Sequence, residues 1–173
     1  MHAFGGFADI LDYPAGNISL QLDKLVKDSC AGDERVCGLL RKFKTDCERL
    51  GIGLLEEIYT GAFDLEAKSS LYAGYQLFGD SWRRSEFLSR LQLLYREKGF
   101  SAGIELPDHI CAILRFISGQ AESPESQDLI DCCLAPALTK ILCRMDRVAN
   151  PYSAALEALL LWIRQNMGKA KTE

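Results

Sequence analysis

Histidine is scarce in this 173-residue chain, which contains only His2 and His109. A helical zinc site of the H-E-x-x-H type is therefore impossible. The seven cysteines include no Cys-x-x-Cys pair, so zinc lacks the closely spaced thiolates that commonly hold it. Phosphate-binding patterns are missing as well, since the chain has neither a P-loop nor G-x-G-x-x-G. The sequence thus offers no recognised metal or nucleotide site.

Long apolar runs and an excess of positive charge are also missing. The most apolar stretch, AALEALLLWI, has ten residues and contains Glu157, whereas a membrane-spanning helix needs about 20 residues. The first residues do not form an export signal. A formal net charge of −4 argues against nucleic acid as a partner. The odd cysteine count and the cysteines within helical apolar patterns favour reduced thiols. We expect a soluble cytoplasmic protein without direct membrane insertion.

The sequence shows no sustained strand-like alternation and no Asn-Gly or Asp-Gly hairpin turn. Apolar residues instead recur at the helical period, which predicts long helices over 33–50, 81–98, 129–145 and 151–163. Shorter helices are expected at 5–12, 19–30, 53–63, 69–78 and 107–118, with a polar loop at 118–126. The whole chain, 1–173, should form one all-α domain, a bundle of about eight to ten helices. Residues 168–173 should be a frayed tail.

The segment ELPDHI, residues 105–110, contains the one internal histidine. A structural explanation is that Pro107 lies in the first turn of a helix, with the acidic Glu105 and Asp108 near the positive end of its dipole. Alternatively, Asp108 and His109 project from this helix end into a groove and bind a partner. Hydrolysis is disfavoured because no nucleophile motif accompanies the histidine.

Two other segments have both a structural and a functional interpretation. Arg83 and Arg84 follow Trp82 at the start of a predicted helix, where they either form a solvated basic face or border a binding groove. Tyrosine and phenylalanine are concentrated between residues 59 and 78, either as core or as the walls of a groove that binds an amphipathic peptide. The candidate groove residues there are Tyr59, Phe63 and Tyr72.

Five motifs, taken in order, resemble one family. They are LDYP (11–14), YTGAFD (59–64), GDSWRRS (79–85), LLYREKGF (93–100) and ELPDHI (105–110). The chain resembles the NarJ-type nitrate reductase molybdenum cofactor assembly chaperones of the NarJ/TorD/DmsD family of redox enzyme maturation proteins. The resemblance covers nearly the whole chain up to the final helix. The chain lacks the tryptophan-rich loop of the DmsD branch, which favours the nitrate reductase branch.

This resemblance implies an all-α chaperone that is not an enzyme. Such proteins bind the N-terminal leader, or its remnant, of a molybdoenzyme catalytic subunit. They hold that subunit in the cytoplasm until molybdopterin guanine dinucleotide is inserted, before membrane docking or export. The chaperone itself is expected to bind no cofactor permanently. Molybdenum cofactor biosynthesis proteins are further expected partners.

The resemblance also assigns residues. The E-x-P-D-H motif corresponds to Glu105, Pro107, Asp108 and His109, which implies leader recognition, and the Y-x-x-x-F motif corresponds to Tyr59 and Phe63. We therefore expect an amphipathic leader helix in a groove lined by Tyr59, Phe63 and Tyr72. Glu105 and Asp108 would meet basic leader residues, and His109 would tune the contact with pH. The alternative is a helical regulatory domain whose cavity binds a small molecule.

Overall fold

The protein is represented by a computed structural model that describes residues 3–14, 16–29, 34–120, 123–146 and 149–167. Over these residues it is all-α, which confirms the predicted fold class. The helices are α1 Ala3–Leu11, α2 Ile18–Ser29, α3 Glu34–Leu50, α4 Ile52–Tyr59, α5 Ala73–Phe78, α6 Trp82–Glu97, α7 Ile110–Gly119, α8 Pro124–Asp128, α9 Ala135–Arg144 and α10 Tyr152–Met167. The predicted frayed tail lies outside the described residues.

Two π-helical segments interrupt the expected regular helices. Thr60–Asp64 continues α4, and Leu129–Leu134 joins α8 to α9. Such single turns widen the helix locally and often occur at functional positions. The helix predicted over 53–63 is therefore partly π-helical, and part of the predicted loop at 118–126 is the start of α8.

The apolar faces of the helices meet in one extended core. α1 packs against α2, α7 and α10, while α3 packs against α2 and α10. Wholly buried side chains in this core include Phe7, Leu40, Phe43, Phe116 and Tyr152. Burial of such side chains supplies the main driving force for folding. Within the described part of the chain, no helix is long and apolar enough to cross a membrane.

α6 begins and ends close to the predicted positions. Ser81 is its extended N-cap residue, and Gly99, two residues past its end, has a φ of +68°. This left-handed backbone conformation is readily adopted by glycine, which explains why the helix stops there. The shorter helices are less accurately predicted, since α5 begins at Ala73 and α7 begins only at Ile110.

The state of the cysteines differs in part from what the sequence predicted. Cys37 is disulfide-bonded, so the prediction of reduced thiols is wrong at this position. Cys143, expected to be buried, is exposed. Cys47 and Cys133 are buried free thiols as predicted, and burial raises the pKa of each to about 12. These two thiols therefore remain protonated at neutral pH.

Candidate functional site

The connections that precede α5 and α7 are joined by backbone hydrogen bonds. The amide of Ala73 donates to the Asp108 carbonyl at 2.8 Å, and the amide of Ile110 donates to the Leu71 carbonyl, also at 2.8 Å. Tyr72 and His109 face each other across this antiparallel bridge, with ring centroids 5.2 Å apart. The pairing brings the region of Tyr72 into contact with the ELPDHI segment.

The Asp108 side chain lies inside the protein and is ion-paired with Arg84. Nε of Arg84 is 3.0 Å from Oδ2 of Asp108, and the carboxylate has no exposed surface. Cζ of Arg84 also lies 5.6 Å from the ring centroids of Tyr72 and Tyr75, within cation–π range. The predicted contact of Asp108 with a basic leader residue is therefore replaced by an internal arginine. The solvated-face interpretation is likewise wrong for Arg84.

Gly74 leaves the space that this ion pair occupies. A Cβ atom at position 74 would lie 2.7 Å from Oδ2 of Asp108 and 3.0 Å from a ring carbon of Phe87. The first distance is well below van der Waals contact, so any larger residue would have to displace the carboxylate. No sequence pattern identified Gly74 as part of the site, because Asp108, whose carboxylate it accommodates, lies in the connection before α7, far from position 74 in the sequence.

His109 caps α7 instead of projecting from it. Its backbone is extended, and its Nδ1 accepts a hydrogen bond from the amide of Cys111 at 3.3 Å. An imidazole nitrogen can accept only when it carries no proton. The structure thus assigns His109 the role that serine or aspartate plays at many helix starts. Pro107 lies in the turn before the cap, outside the first helical turn where we expected it.

The environment of His109 lowers its pKa from the ordinary value of 6.5. Burial is the main cause, and the positive charge of Arg115 acts in the same direction. The carboxylates of Glu105, Asp12 and Asp108 oppose this effect. His109 is therefore neutral at neutral pH and offers no positive charge to a partner. This result is contrary to the expectation that it tunes peptide binding near neutrality.

Glu105 lies on the exposed side of the same segment. Its Oε2 accepts a hydrogen bond from the Tyr72 hydroxyl at 3.1 Å, and Tyr72 is half-buried. Burial, together with the negative charge of Glu105, raises the pKa of Tyr72 to about 12. The phenol therefore keeps its proton and remains a donor that orients the carboxylate. Arg83, which directly precedes Arg84 in α6, is exposed, and its Cζ lies 5.8 Å from the ring centroid of the exposed Trp82.

Tyr59 and Phe63 belong to the core. They are 4% and 2% exposed, with ring centroids 4.9 Å apart, and both contact the buried Tyr152. The Tyr59 hydroxyl donates to the Leu11 carbonyl at 3.3 Å. Neither side chain lines an open groove in this structure, so that expectation is corrected. The packing of Tyr152, in α10, against both rings contributes to their burial.

Pro107 is held by a further hydrogen bond. The hydroxyl of the buried Tyr95, in α6, donates to the Pro107 carbonyl at 3.0 Å. Both the side chain of Arg84 and that of Tyr95 therefore fix the 105–109 segment to α6. Of the residues predicted for the site, the structure brings together all except Tyr59, Phe63 and Arg83. Gly74 and Tyr95 were not predicted for the site, and Tyr75 was predicted only as one of the aromatic residues between 59 and 78.

Comparison with protein families agrees with the motifs. Residues 29–158 match the family described as the nitrate reductase delta subunit. The chain belongs to this family. Nitrate reductase delta subunits form a chaperone family for nitrate reductase maturation, which associates with the catalytic subunit and is not itself catalytic. No curated protein matches the sequence. The matched range contains the bridge between α5 and α7, both partners of the buried ion pair, and Glu105.

Proposed function

We propose that this protein binds the N-terminal segment of a nitrate reductase catalytic subunit, either a leader or a remnant of one. It holds the subunit in the cytoplasm while the molybdenum cofactor, molybdopterin guanine dinucleotide, is inserted. Membership of the nitrate reductase delta subunit family is the observation that carries this proposal. Molybdenum cofactor biosynthesis proteins are further proposed partners. The chaperone itself carries out no reaction and retains no cofactor.

The exposed part of the 105–109 segment supports the choice of contact residues. The Glu105 carboxylate is accessible, and the Tyr72 hydroxyl fixes its orientation. A preoriented carboxylate loses less side-chain entropy when it pairs with a cation than a free one does. Glu105 therefore suits a lysine or arginine of the client peptide. Arg83 is accessible too, and its positive charge would disfavour a client peptide that places a basic residue beside it.

Asp108, His109 and Arg84 support binding indirectly. Their contacts hold the 105–109 segment against α5 and α6, so that Glu105 projects from a rigid support. Rigid support of a contact residue reduces the entropy lost on binding. In this proposal, Asp108 and His109 are positioning residues, and Glu105 touches the client.

Purification with a defined client tests the function. The tagged protein is co-expressed with the nitrate reductase catalytic subunit of the same organism, in full-length form and without its N-terminal segment. We expect the full-length subunit to be retained and the truncated subunit to be lost. A molybdenum assay on cells with and without the chaperone should show lower cofactor content in its absence.

Two outcomes would contradict the proposal. Equal retention of both forms would exclude the N-terminal segment as the binding determinant. Equal cofactor content in the presence and absence of the protein would exclude its role in insertion. A small-molecule-binding domain, the alternative from the sequence, would retain neither form of the subunit.

A further inference from the structure

A buried glutamine, Gln76 in α5, lies at the junction of three parts of the fold. Its side chain is enclosed by the protein, and the whole residue is 2% exposed. Its Nε2 donates to the Ser70 carbonyl at 2.9 Å, and its Oε1 accepts from Nη1 of Arg144, in α9, at 3.1 Å. Both polar ends of the buried amide are therefore satisfied, one by the connection before α5 and the other by α9.

The last turn of α5 has a second contact with α9. Nζ of Lys140, one turn before Arg144, donates to the carbonyls of Gln76 and Leu77 at 3.0 and 3.4 Å. Carbonyls at the C-terminal end of a helix have no following turn to supply an amide donor. The lysine supplies that donor and places its positive charge at the negative end of the helix dipole.

α5 depends on such contacts because it is short. A helix of six residues is too short to be stable by itself in water. Its start is fixed by the bond from the Ala73 amide to the Asp108 carbonyl, and its end is fixed by Lys140 and Arg144. The position of this helix is therefore set by other elements at both of its ends.

Tyr72 lies between the two backbone groups that Gln76 binds. The Gln76 amide donates to the Tyr72 carbonyl at 3.1 Å, and the Gln76 side chain binds the Ser70 carbonyl. The backbone on both sides of Tyr72 is thus tied to one glutamine. Because the Tyr72 hydroxyl orients the Glu105 carboxylate, a shift of Gln76 would change the orientation of Glu105 as well.

We infer that Lys140 and Arg144 are positioning residues for client binding. They act through Gln76 and Tyr72 on the direction in which the Glu105 carboxylate is presented. This inference rests on the proposed function and adds to it two cations of α9 that themselves need not touch the client. A purely structural pair would change stability alone, whereas these two residues should also change the contact between Tyr72 and Glu105.

NMR of isotope-labelled tyrosine at neutral pH tests the effect on Tyr72. The Cζ resonance of Tyr72 responds to the bond between its hydroxyl and Glu105, and Glu105→Gln gives the reference position without that carboxylate. Lys140→Met and Arg144→Met should each move the resonance towards this reference. Lys140→Arg and Arg144→Lys keep a donor at each position and should restore the wild-type resonance.

Lys44→Met is the matched control for the NMR measurement. It also removes a lysine that joins two helices, since Lys44 of α3 pairs with Asp23 of α2. Neither of these helices carries Tyr72 or Glu105, so the Tyr72 resonance should stay in place. An unchanged Tyr72 resonance in both methionine variants at positions 140 and 144 would overturn the inference.

Titration calorimetry with a synthetic peptide of the client N-terminus tests the effect on binding. Lys140→Met and Arg144→Met should each weaken binding about threefold to tenfold, because Glu105 is then less well oriented. In a Glu105→Gln background the same changes should have little further effect, since the charge through which they act is gone. Thermal melts identify a temperature at which every variant is folded. Because Arg144 is exposed, Arg144→Met is the change that should disturb folding least.

The possible results separate the positioning role from the proposed function. Unchanged peptide binding in both methionine variants would overturn the positioning role alone. Equal losses of affinity in the wild-type and Glu105→Gln backgrounds would do the same, since Lys140 and Arg144 would then act independently of Glu105. Absence of peptide binding by the wild type would overturn both the positioning role and the proposed function.

Discussion

The two ends of the Glu105–His109 segment differ sharply in environment. Glu105 is exposed and binds the hydroxyl of a half-buried tyrosine, whereas Asp108 is fully buried and binds an arginine. Both are carboxylates within one short motif. The difference shows that a motif associated with recognition can contain its own structural support. Glu105 is available to a partner, whereas the last two residues, Asp108 and His109, hold the connection in place.

This difference follows from the point at which α7 begins. The helix starts at Ile110, so residues 105–109 form a turn that bends back towards α5 and α6. Asp108 and the His109 ring lie on the inner side of this turn, and Glu105 lies on the outer side. Variants of the two ends should therefore affect different properties of the protein.

Asp108→Ala should have the largest effect on stability. It leaves Arg84, whose side chain is 18% exposed, without its ion-pair partner. Breaking a buried pair in this way typically costs about 3–5 kcal/mol of unfolding free energy. Urea denaturation measures the loss. The double variant Asp108→Ala/Arg84→Met should recover part of it, because the unpaired charge is then absent. Wild-type stability in the single variant would show that the pair contributes nothing.

His109 should have an intermediate effect that depends on pH. The folded state lowers the histidine pKa below 6.5, so the unfolded state binds the proton more readily. The stabilising contribution is therefore complete above the unfolded pKa and is lost as pH falls below about 6.5. His109→Ala should cost about 1 kcal/mol at pH 7.5 through loss of the cap.

His109→Asn separates the cap from the titration. Asparagine can accept the hydrogen bond from the Cys111 amide but does not ionise in this range. Urea denaturation at pH 7.5 and pH 5.5 should show a smaller loss on acidification in this variant than in the wild type. Equal losses in the two proteins would mean that His109 does not contribute to the pH dependence.

Glu105→Gln should have the smallest effect on stability. An exposed substitution of this kind changes the unfolding free energy by less than about 0.5 kcal/mol. The pKa of Tyr72 should fall from about 12, although burial keeps it above its ordinary value of 10.0. Titration of isotope-labelled tyrosine by NMR measures this change. A large loss of stability would place Glu105 with Asp108 as a structural residue.

The sequence was most informative where local pattern controls structure. α3 was expected over 33–50 and is observed at Glu34–Leu50, because a long amphipathic period is enough to specify such a helix. The bounds predicted for α6 were similarly accurate, since a cap residue and a glycine mark its ends. The motifs also indicated the correct family, whose match covers residues 29–158.

The sequence was least informative where distant residues meet. Helical periodicity placed Arg84 on the solvated face, yet the buried Asp108 carboxylate draws it inwards. The start of α7 was misplaced for a related reason, because the Leu71 carbonyl and the His109 ring satisfy its first amides. Tyr59 and Phe63, for which both a core and a groove position were considered, pack in the core against Tyr152 of α10. Each of these outcomes depends on tertiary contacts that no local pattern contains.

The bridge between Tyr72 and His109 has a consequence for how the chain opens. The amides of Ala73 and Ile110 donate across two connections that are far apart in the sequence. Neither bond survives if one connection moves alone, so the starts of α5 and α7 should separate in a single step. Closing such a nonlocal contact carries a loop entropy cost that neither helix can offset by itself. The bridge therefore joins α5 and α7 into one cooperative unit of local unfolding.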